Sequence, residues 1–200
     1  MQHQTKRINS FICGISMILA PLFFALSTFL WIDGQYGVSG GTLVAVGAVF
    51  WIVALTGVYD LLKLKTPVFA TIGWLIAVAG CVSGANFGFA GAYNDIFDIS
   101  HQHYLEQLAA HQVAANVLLF WSGPLFPLSL LVLGAVLIRN RMVPFWTGLL
   151  ISIAGIAFPI SRIPRIEWIA HACDLLLFIP FCFLGLKFIS GAALETEKPA

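Results

Sequence analysis

Long apolar segments separated by short polar connections dominate the chain. A helix needs roughly 20 apolar residues to cross the hydrocarbon core of a bilayer. The segments that reach or approach this length are residues 11–32, 42–62, 68–92, 113–138, 143–160 and 168–189. Their apolar runs are continuous, whereas β-barrel strands alternate over roughly ten residues. The pattern predicts an all-α fold: a single membrane domain over residues 1–200, with about six transmembrane helices and a disordered polar tail at residues 195–200.

Composition agrees with a chain whose solvent is largely lipid. Hydrophobic residues make up 60% of the sequence and charged residues only 10%, against roughly a quarter charged in soluble domains. The net charge of +1 provides no basic face for nucleic acid. The cysteines have no metal-ligand spacing, and each lies in an apolar run, which favours a packing role. We therefore predict the lipid bilayer as partner, with no nucleic acid, metal or cofactor.

Lysine and arginine cluster in alternate connections, which predicts the orientation. They precede the first segment, join the second to the third and the fourth to the fifth, and end the sixth: Lys6, Arg7, Lys63, Lys65, Arg139, Arg141, Lys187 and Lys198. Basic residues favour the cytoplasmic side. Both termini are therefore predicted to be cytoplasmic, and with no organelle signal visible we expect a bacterial inner membrane. Arg162 and Arg165 break the rule, because they fall on the predicted outer side.

The longest connection, residues 93–112, lies on that outer side and has a helical pattern of its own. Tyr104, Leu105 and Leu108 share one face at helical spacing. We predict a short amphipathic helix from about Ser100, lying on the membrane surface.

Two further patterns concern helix packing. A shift of 75 residues aligns residues 68–82 with 143–157, including Gly73 with Gly148 and Gly80 with Gly155. This indicates either a parallel repeat, as in some transporters, or chance in a restricted alphabet. Gly80, Gly84 and Gly88 favour close helix packing, although a substrate route along them is the alternative.

Prolines in the fourth segment predict a broken helix. Pro124 and Pro127 should kink it near the middle. The simpler interpretation is a structural bend. The functional one is that freed carbonyl groups bind an ion or a substrate.

Ionisable residues at membrane depth are the best candidates for a site. His171 and Asp174 are three apart and share a helix face. A carboxylate facing lipid there would cost at least roughly 2.5–3.5 kcal/mol, so it must face the bundle interior, a cavity or a partner. One interpretation is an Asp174–His171 hydrogen bond that locks the helix, and the other is a proton-, ion- or substrate-handling site.

Other polar residues are predicted at a similar depth and suggest an outward-facing polar cavity. The candidate substrate- or ion-binding residues are Asp174, His171, Arg162, Arg165, Glu167, Asn86, His111 and Asn116. We expect Arg162 and Arg165 either to clamp the acidic residues of the outer loop or to bind an anion or a lipid headgroup. The clamp would pair them with Asp95, Asp98 and Glu106, and it is the favoured interpretation.

The sequence favours a protein that binds or transports a small solute, anion or proton. The alternative is a small membrane-embedded enzyme at the outer face, with His171 and Asp174 activating water or with His111 and His171 binding metal or haem. Neither an HExxH motif nor a nucleophile elbow supports the enzyme. A purely structural protein would instead have Asp174 saturated by its neighbours and no cavity. A non-catalytic membrane protein that binds lipid or a partner helix is the remaining alternative. A homo-oligomer is compatible with the sequence.

Overall fold

The computed structural model describes residues 2–191, with side chains from residue 4 onward. Within these residues, six helical segments are long and apolar enough to cross a membrane, which confirms the all-helical, multi-pass prediction. The helices are α1 (Gln2–Thr28), α2 (Val38–Leu62), α3 (Pro67–Ile96), α4 (His101–Ala110), α5 (Gln112–Ala115), α6 (Leu125–Arg139), α7 (Phe145–Arg162) and α8 (Glu167–Ile189). A π-helical turn (Asn116–Phe120) joins α5 to the α6 region, and strands β1 (Trp31–Ile32) and β2 (Gln35–Tyr36) follow α1. The predicted tail, residues 195–200, lies outside the described residues.

The spanning helices form a closed ring. In order around the ring, α1, α2, α3, α6, α7 and α8 each pack against the next, and α8 returns to α1. Aromatic rings fill the interior. The indole of Trp51 is fully buried and makes edge-to-face contacts with Phe126 and Phe181, at centroid distances of 5.2 and 4.7 Å. Phe24 and Phe158 extend this cluster through Phe126.

The two ends of the ring differ in charge and structure. At one end, Lys65 Nζ donates to the carbonyl of Asn140 at 3.0 Å, which joins the α2–α3 and α6–α7 connections. Ser10 Oγ donates to the carbonyl of Phe188 at 2.8 Å, so α1 begins where α8 ends. We call this the basic end, since it carries Lys6, Arg7, Lys63, Lys65, Arg139, Arg141 and Lys187. The opposite end carries β1, β2, α4 and the α7–α8 connection, and we call it the hairpin end.

The first helix is shorter at its end than predicted. The sequence predicted a helix over 11–32, but α1 ends at Thr28, and Trp31 pairs with Tyr36 in an antiparallel hairpin. Asp33 and Gly34 form its two-residue loop with φ of 50° and 73°. Two consecutive positive φ angles are typical of the type I′ hairpin turn, for which Asp-Gly is a preferred sequence. This turn chemistry overrides the apolar extension of the helix, so the predicted boundary was wrong.

The fourth span is broken, and its carbonyl groups are already used. Trp121 N donates to the carbonyl of Asn116 at 2.7 Å, a π-type bond. The carbonyls of Val117, Leu118 and Leu119 accept bonds from Ser122 Oγ, Asn86 Nδ2 and Ser83 Oγ at 2.9, 3.1 and 3.3 Å, respectively. These contacts favour a structural bend over an ion site at the break.

Glycine contacts test the predicted repeat. A Cβ on Gly73 would contact Tyr59 of α2, and one on Gly148 would contact Ile138 of α6, so each faces its own hairpin partner. Gly80, however, faces the start of α6 in the other hairpin, whereas Gly155 faces α6 in its own. The predicted equivalence of Gly80 and Gly155 is therefore wrong.

The connection between α3 and α5 contains α4, which begins at His101. Ser100 caps it, its Oγ accepting from His103 N at 3.3 Å. The side of the membrane on which α4 lies remains a prediction.

Candidate functional site

Three helix ends meet around a buried ion pair. Arg162 is the last residue of α7, Thr28 is the last residue of α1, and Asp174 lies in the second turn of α8. Arg162 Nη2 donates to Asp174 Oδ1 at 2.5 Å, and Nη1 donates to Thr28 Oγ1 at 2.8 Å. Thr28 Oγ1 in turn donates to Asp174 Oδ2 at 2.6 Å. We call these residues the ionic triad. Their hydrogen bonds tie α1, α7 and α8 together at the hairpin end.

The triad is buried and internally compensated. The side chains of Arg162 and Asp174 are only 9% and 2% exposed. Removing one partner of such a pair would leave a buried charge without compensation, which is strongly destabilising. Both carboxylate oxygens of Asp174 are occupied, so the triad as it stands has a structural role.

His171 has different partners from those predicted. Its ring lies 4.3 Å from the ring of Phe29, and its Nε2 lies 3.7 Å from Glu167 Oε1. Asp174 instead binds Thr28 and Arg162. The predicted Asp174–His171 hydrogen bond was therefore wrong, because the acidic group finds its cation on the neighbouring helix.

The predicted clamp is also wrong for the residues whose partners are now known. Arg162 binds Asp174, and Asp95 Oδ2 accepts from the backbone N–H of Val38 at 2.8 Å at the start of α2. Glu106 accepts from Gln102 Nε2 at 3.0 Å within α4. A backbone N–H of α2 and a side chain of α4 thus bind Asp95 and Glu106 without either arginine.

The hairpin places its aromatic residues against both arginines. The Cζ atoms of Arg162 and Arg165 lie 5.1 and 5.3 Å from the centroid of the Trp31 ring. Arg165 Cζ also lies 4.5 Å from the ring of Tyr36. Gly34 permits this approach, since a Cβ there would lie 3.1 Å from Arg165 Cβ. Cation–π contacts of this kind stabilise a guanidinium that has lost water.

Buried donors without acceptors converge on Trp31. Within the described residues, Trp31 Nε1, Arg162 Nε and Arg165 Nη1 are buried and have no hydrogen-bond partner. All three are N–H donors. We call these three residues the donor cluster. Leaving a buried donor unsatisfied costs about 1–3 kcal/mol, so the cluster is suited to a ligand that supplies acceptor oxygens.

An open cavity lies beside one member of the donor cluster, Trp31. It has a volume of about 360 Å³ and is lined by residues 29–32, 37–40 and Asp95, so Trp31 forms part of its wall. Small-molecule sites are usually about 300–1,000 Å³. A second depression of about 870 Å³ lies along residues 109–114, 117 and 118. Neither depression is lined by Arg162, Arg165, His171 or Asp174. The predicted polar cavity around His171 and Asp174 stays a prediction.

The remaining predicted site residues lie elsewhere. Asn86 supports the π-helical turn that Asn116 begins, and His111 is exposed where α4 ends. Glu167 is exposed at the start of α8. Among the described residues, no group of three or more His, Cys, Asp or Glu side chains could hold a metal ion. Among the predicted site residues, Arg162 and Asp174 form an ion pair. Arg162 and Arg165 both lie against the indole of Trp31.

Sequence reasoning missed Thr28, Trp31 and Tyr36. A threonine inside an apolar run carries no pattern that marks it as an ion-pair partner. The signal that was available is the Asp33-Gly34 pair, which predicts a turn between Trp31 and Tyr36. Reading that turn would have placed both aromatic residues on one hairpin.

Comparison with protein-family models, with curated proteins and with solved structures gives no match. The fold defines the class, a multi-pass helical membrane protein.

Proposed function

We propose that this protein binds a small anionic solute at the donor cluster, on the outer face of a bacterial inner membrane. The orientation is supported by the basic end, since cytoplasmic connections are enriched in lysine and arginine. With that end in the cytoplasm, both termini are cytoplasmic and the hairpin end faces outward.

The charge of Arg165 is the observation that carries the proposal. Arg162 is neutralised by Asp174, whereas Arg165 has no carboxylate within salt-bridge distance among the described residues. The site therefore has one uncompensated positive charge together with buried N–H donors. A carboxylate or phosphate oxygen complements this arrangement, because guanidinium groups bind oxyanions through charge-assisted hydrogen bonds.

The geometry favours binding over passage through the bundle. Aromatic side chains fill the space enclosed by the spanning helices: Phe24, Trp51, Phe126 and Phe158. The aromatic ring of Phe158 lies 5.4 Å from Arg162 Cζ. A solute moving from the hairpin end towards the basic end would have to displace these rings. Transport would therefore require displacement of the aromatic interior, whereas binding requires only that the side chains of the donor cluster open towards the ligand.

The enzyme alternative has less support. It requires His171 and Asp174 to act together on water, and Asp174 is instead saturated by Thr28 and Arg162. We retain it as the weaker hypothesis.

Anion binding can be tested by thermal unfolding of the protein purified in a neutral detergent. Phosphate and acetate are titrated at constant ionic strength, with chloride as the balancing anion. We expect saturable stabilisation of the wild type at millimolar concentrations. Arg165→Gln should abolish it, whereas Arg139→Gln, which removes the same charge at the basic end, should leave it unchanged. Equal responses in the two variants would reject the proposal.

A further inference from the structure

Exposed apolar side chains lie close in sequence to the residues of the donor cluster. Ile163 is 80% exposed, Trp168 74%, Phe29 69% and Ile32 65%. Ile163 lies between the two arginines in sequence, and Phe29 and Ile32 flank Trp31. We call these four residues the apolar rim. A site for a soluble anion has no need of such a rim, whereas a site that opens to lipid does.

We propose that the ligand is an anionic amphiphile, an oxyanion headgroup on an alkyl chain, supplied by the surrounding bilayer. This inference rests on the proposed anion site. The headgroup binds Arg165 and the other donors, and the chain lies against the apolar rim.

The position of the rim supports this ligand. The α7–α8 connection follows a spanning helix that ends at Arg162 and precedes one that begins at Glu167. Residues 163–166 therefore lie where the hydrocarbon core meets the headgroups. Tryptophan is enriched at this depth, which agrees with Trp168 as the second residue of α8. A headgroup at Arg165 thus has its chain beside the rim.

Charge selects the class of headgroup. Arg162, Arg165 and Asp174 together carry a net charge of +1, which matches the single negative charge of a phosphodiester or a carboxylate. Aromatic rings lie against the Arg165 guanidinium, so its N–H edges are the groups left for a ligand. A zwitterionic choline lipid would bring a second cation close to Arg165 and is therefore disfavoured.

The alkyl chain should dominate the affinity. Each buried methylene strengthens membrane-type binding by about fourfold. A few methylenes transferred from water into the apolar phase around the protein therefore raise the apparent affinity by roughly two orders of magnitude over the bare headgroup.

The experiment compares an anionic lipid with a ligand that has only its headgroup and with a lipid that has the same acyl chains but a different headgroup. In dodecyl maltoside, the full-length protein is titrated with dioctanoyl-phosphatidylglycerol, with its deacylated headgroup glycerophosphoglycerol, and with dioctanoyl-phosphatidylcholine. The shift in unfolding midpoint gives an apparent affinity for each. We expect the phosphatidylglycerol to bind at least about 100-fold more tightly than the bare headgroup, and more tightly than the phosphatidylcholine.

Variants locate the binding. Arg165→Gln should weaken the phosphatidylglycerol about tenfold or more, since a charged hydrogen bond is lost, and Arg139→Gln should not. Ile163→Ser should weaken the diacyl ligand while leaving glycerophosphoglycerol unchanged. Trp31→Phe keeps the ring but removes one donor, so it serves if Arg165→Gln does not fold.

The outcomes separate the two proposals. Equal affinity for headgroup and diacyl ligand, both sensitive to Arg165→Gln, would overturn the amphiphile and leave anion binding standing. Equal affinity for the glycerol and choline lipids would also overturn it, because headgroup charge would not matter. Binding of every ligand that is insensitive to Arg165→Gln and Trp31→Phe would overturn both proposals.

Discussion

Arg162 and Asp174 bury opposite charges inside the helix bundle, away from solvent. A buried ion pair is weak evidence of net stabilisation, because the desolvation of two charges offsets much of their attraction. Here the pair also has a third member, Thr28, on another helix. The specific contribution of the ionic triad is therefore to fix which ends of α1, α7 and α8 meet.

The first prediction concerns Asp174→Asn, which keeps the shape of the side chain and removes its charge. Arg162 would remain buried without a counter-ion, so the free energy of unfolding should fall by about 3 kcal/mol or more. Asp60→Asn is the matched control. It removes the charge of an exposed pair with Lys63, both side chains being more than half exposed, and should change stability by less than about 1 kcal/mol. Unfolding in mixed micelles measures both, and similar losses would contradict a buried role for the pair.

At the scale of elements, α3 is held by close approaches on more than one face. Gly80 lies against the backbone of Leu125 and Phe126 at the start of α6, and Gly88 lies against Gly41 and Ala45 of α2. Small residues allow such approaches in lipid, where packing rather than the hydrophobic effect drives association. A Cβ on Gly84, between them, would meet no atom within 4 Å.

These contacts predict opposite outcomes for two alanine substitutions one turn apart. Gly80→Ala would place a methyl group against backbone that cannot move aside, and should destabilise the protein by about 1–3 kcal/mol. Gly84→Ala meets open space in a helix and should be neutral or stabilising by up to about 1 kcal/mol. Unfolding midpoints of the two variants and the wild type provide the test. A loss of stability in Gly84→Ala would show that this part of α3 is more tightly packed than described.

At the scale of the whole molecule, the sequence predicted the spans well and the site poorly, for a physical reason. A spanning helix is a local property, readable from about 20 apolar residues. The partner of a buried charge is not local: Asp174 could pair along its own helix with His171 or across to Arg162, and only packing decides. The hairpin was hidden because Trp31 and Ile32 extend an apolar run, although Asp33-Gly34 marks the turn.

The last prediction concerns the orientation of the chain in the membrane, and the fold adds evidence for it. The hydrogen bond from Lys65 to Asn140 places two basic connections together, and α1 begins beside the end of α8. The lysines and arginines of the basic end therefore all favour the same orientation, with that end in the cytoplasm. Arg162 and Arg165, at the hairpin end, favour the opposite orientation. We expect the basic end to remain in the cytoplasm even when both of those arginines are replaced by glutamine, because their charge opposes the orientation that the basic end favours.

The measurement uses a cysteine-free background, with alanine at the buried Cys81 and Cys173 to avoid new polar groups. Single cysteines replace the exposed residues Leu64 and Gln102. In intact cells, a membrane-impermeant maleimide should label position 102 and should reach position 64 only after lysis. The reverse pattern would place the donor cluster in the cytoplasm and contradict the proposed orientation.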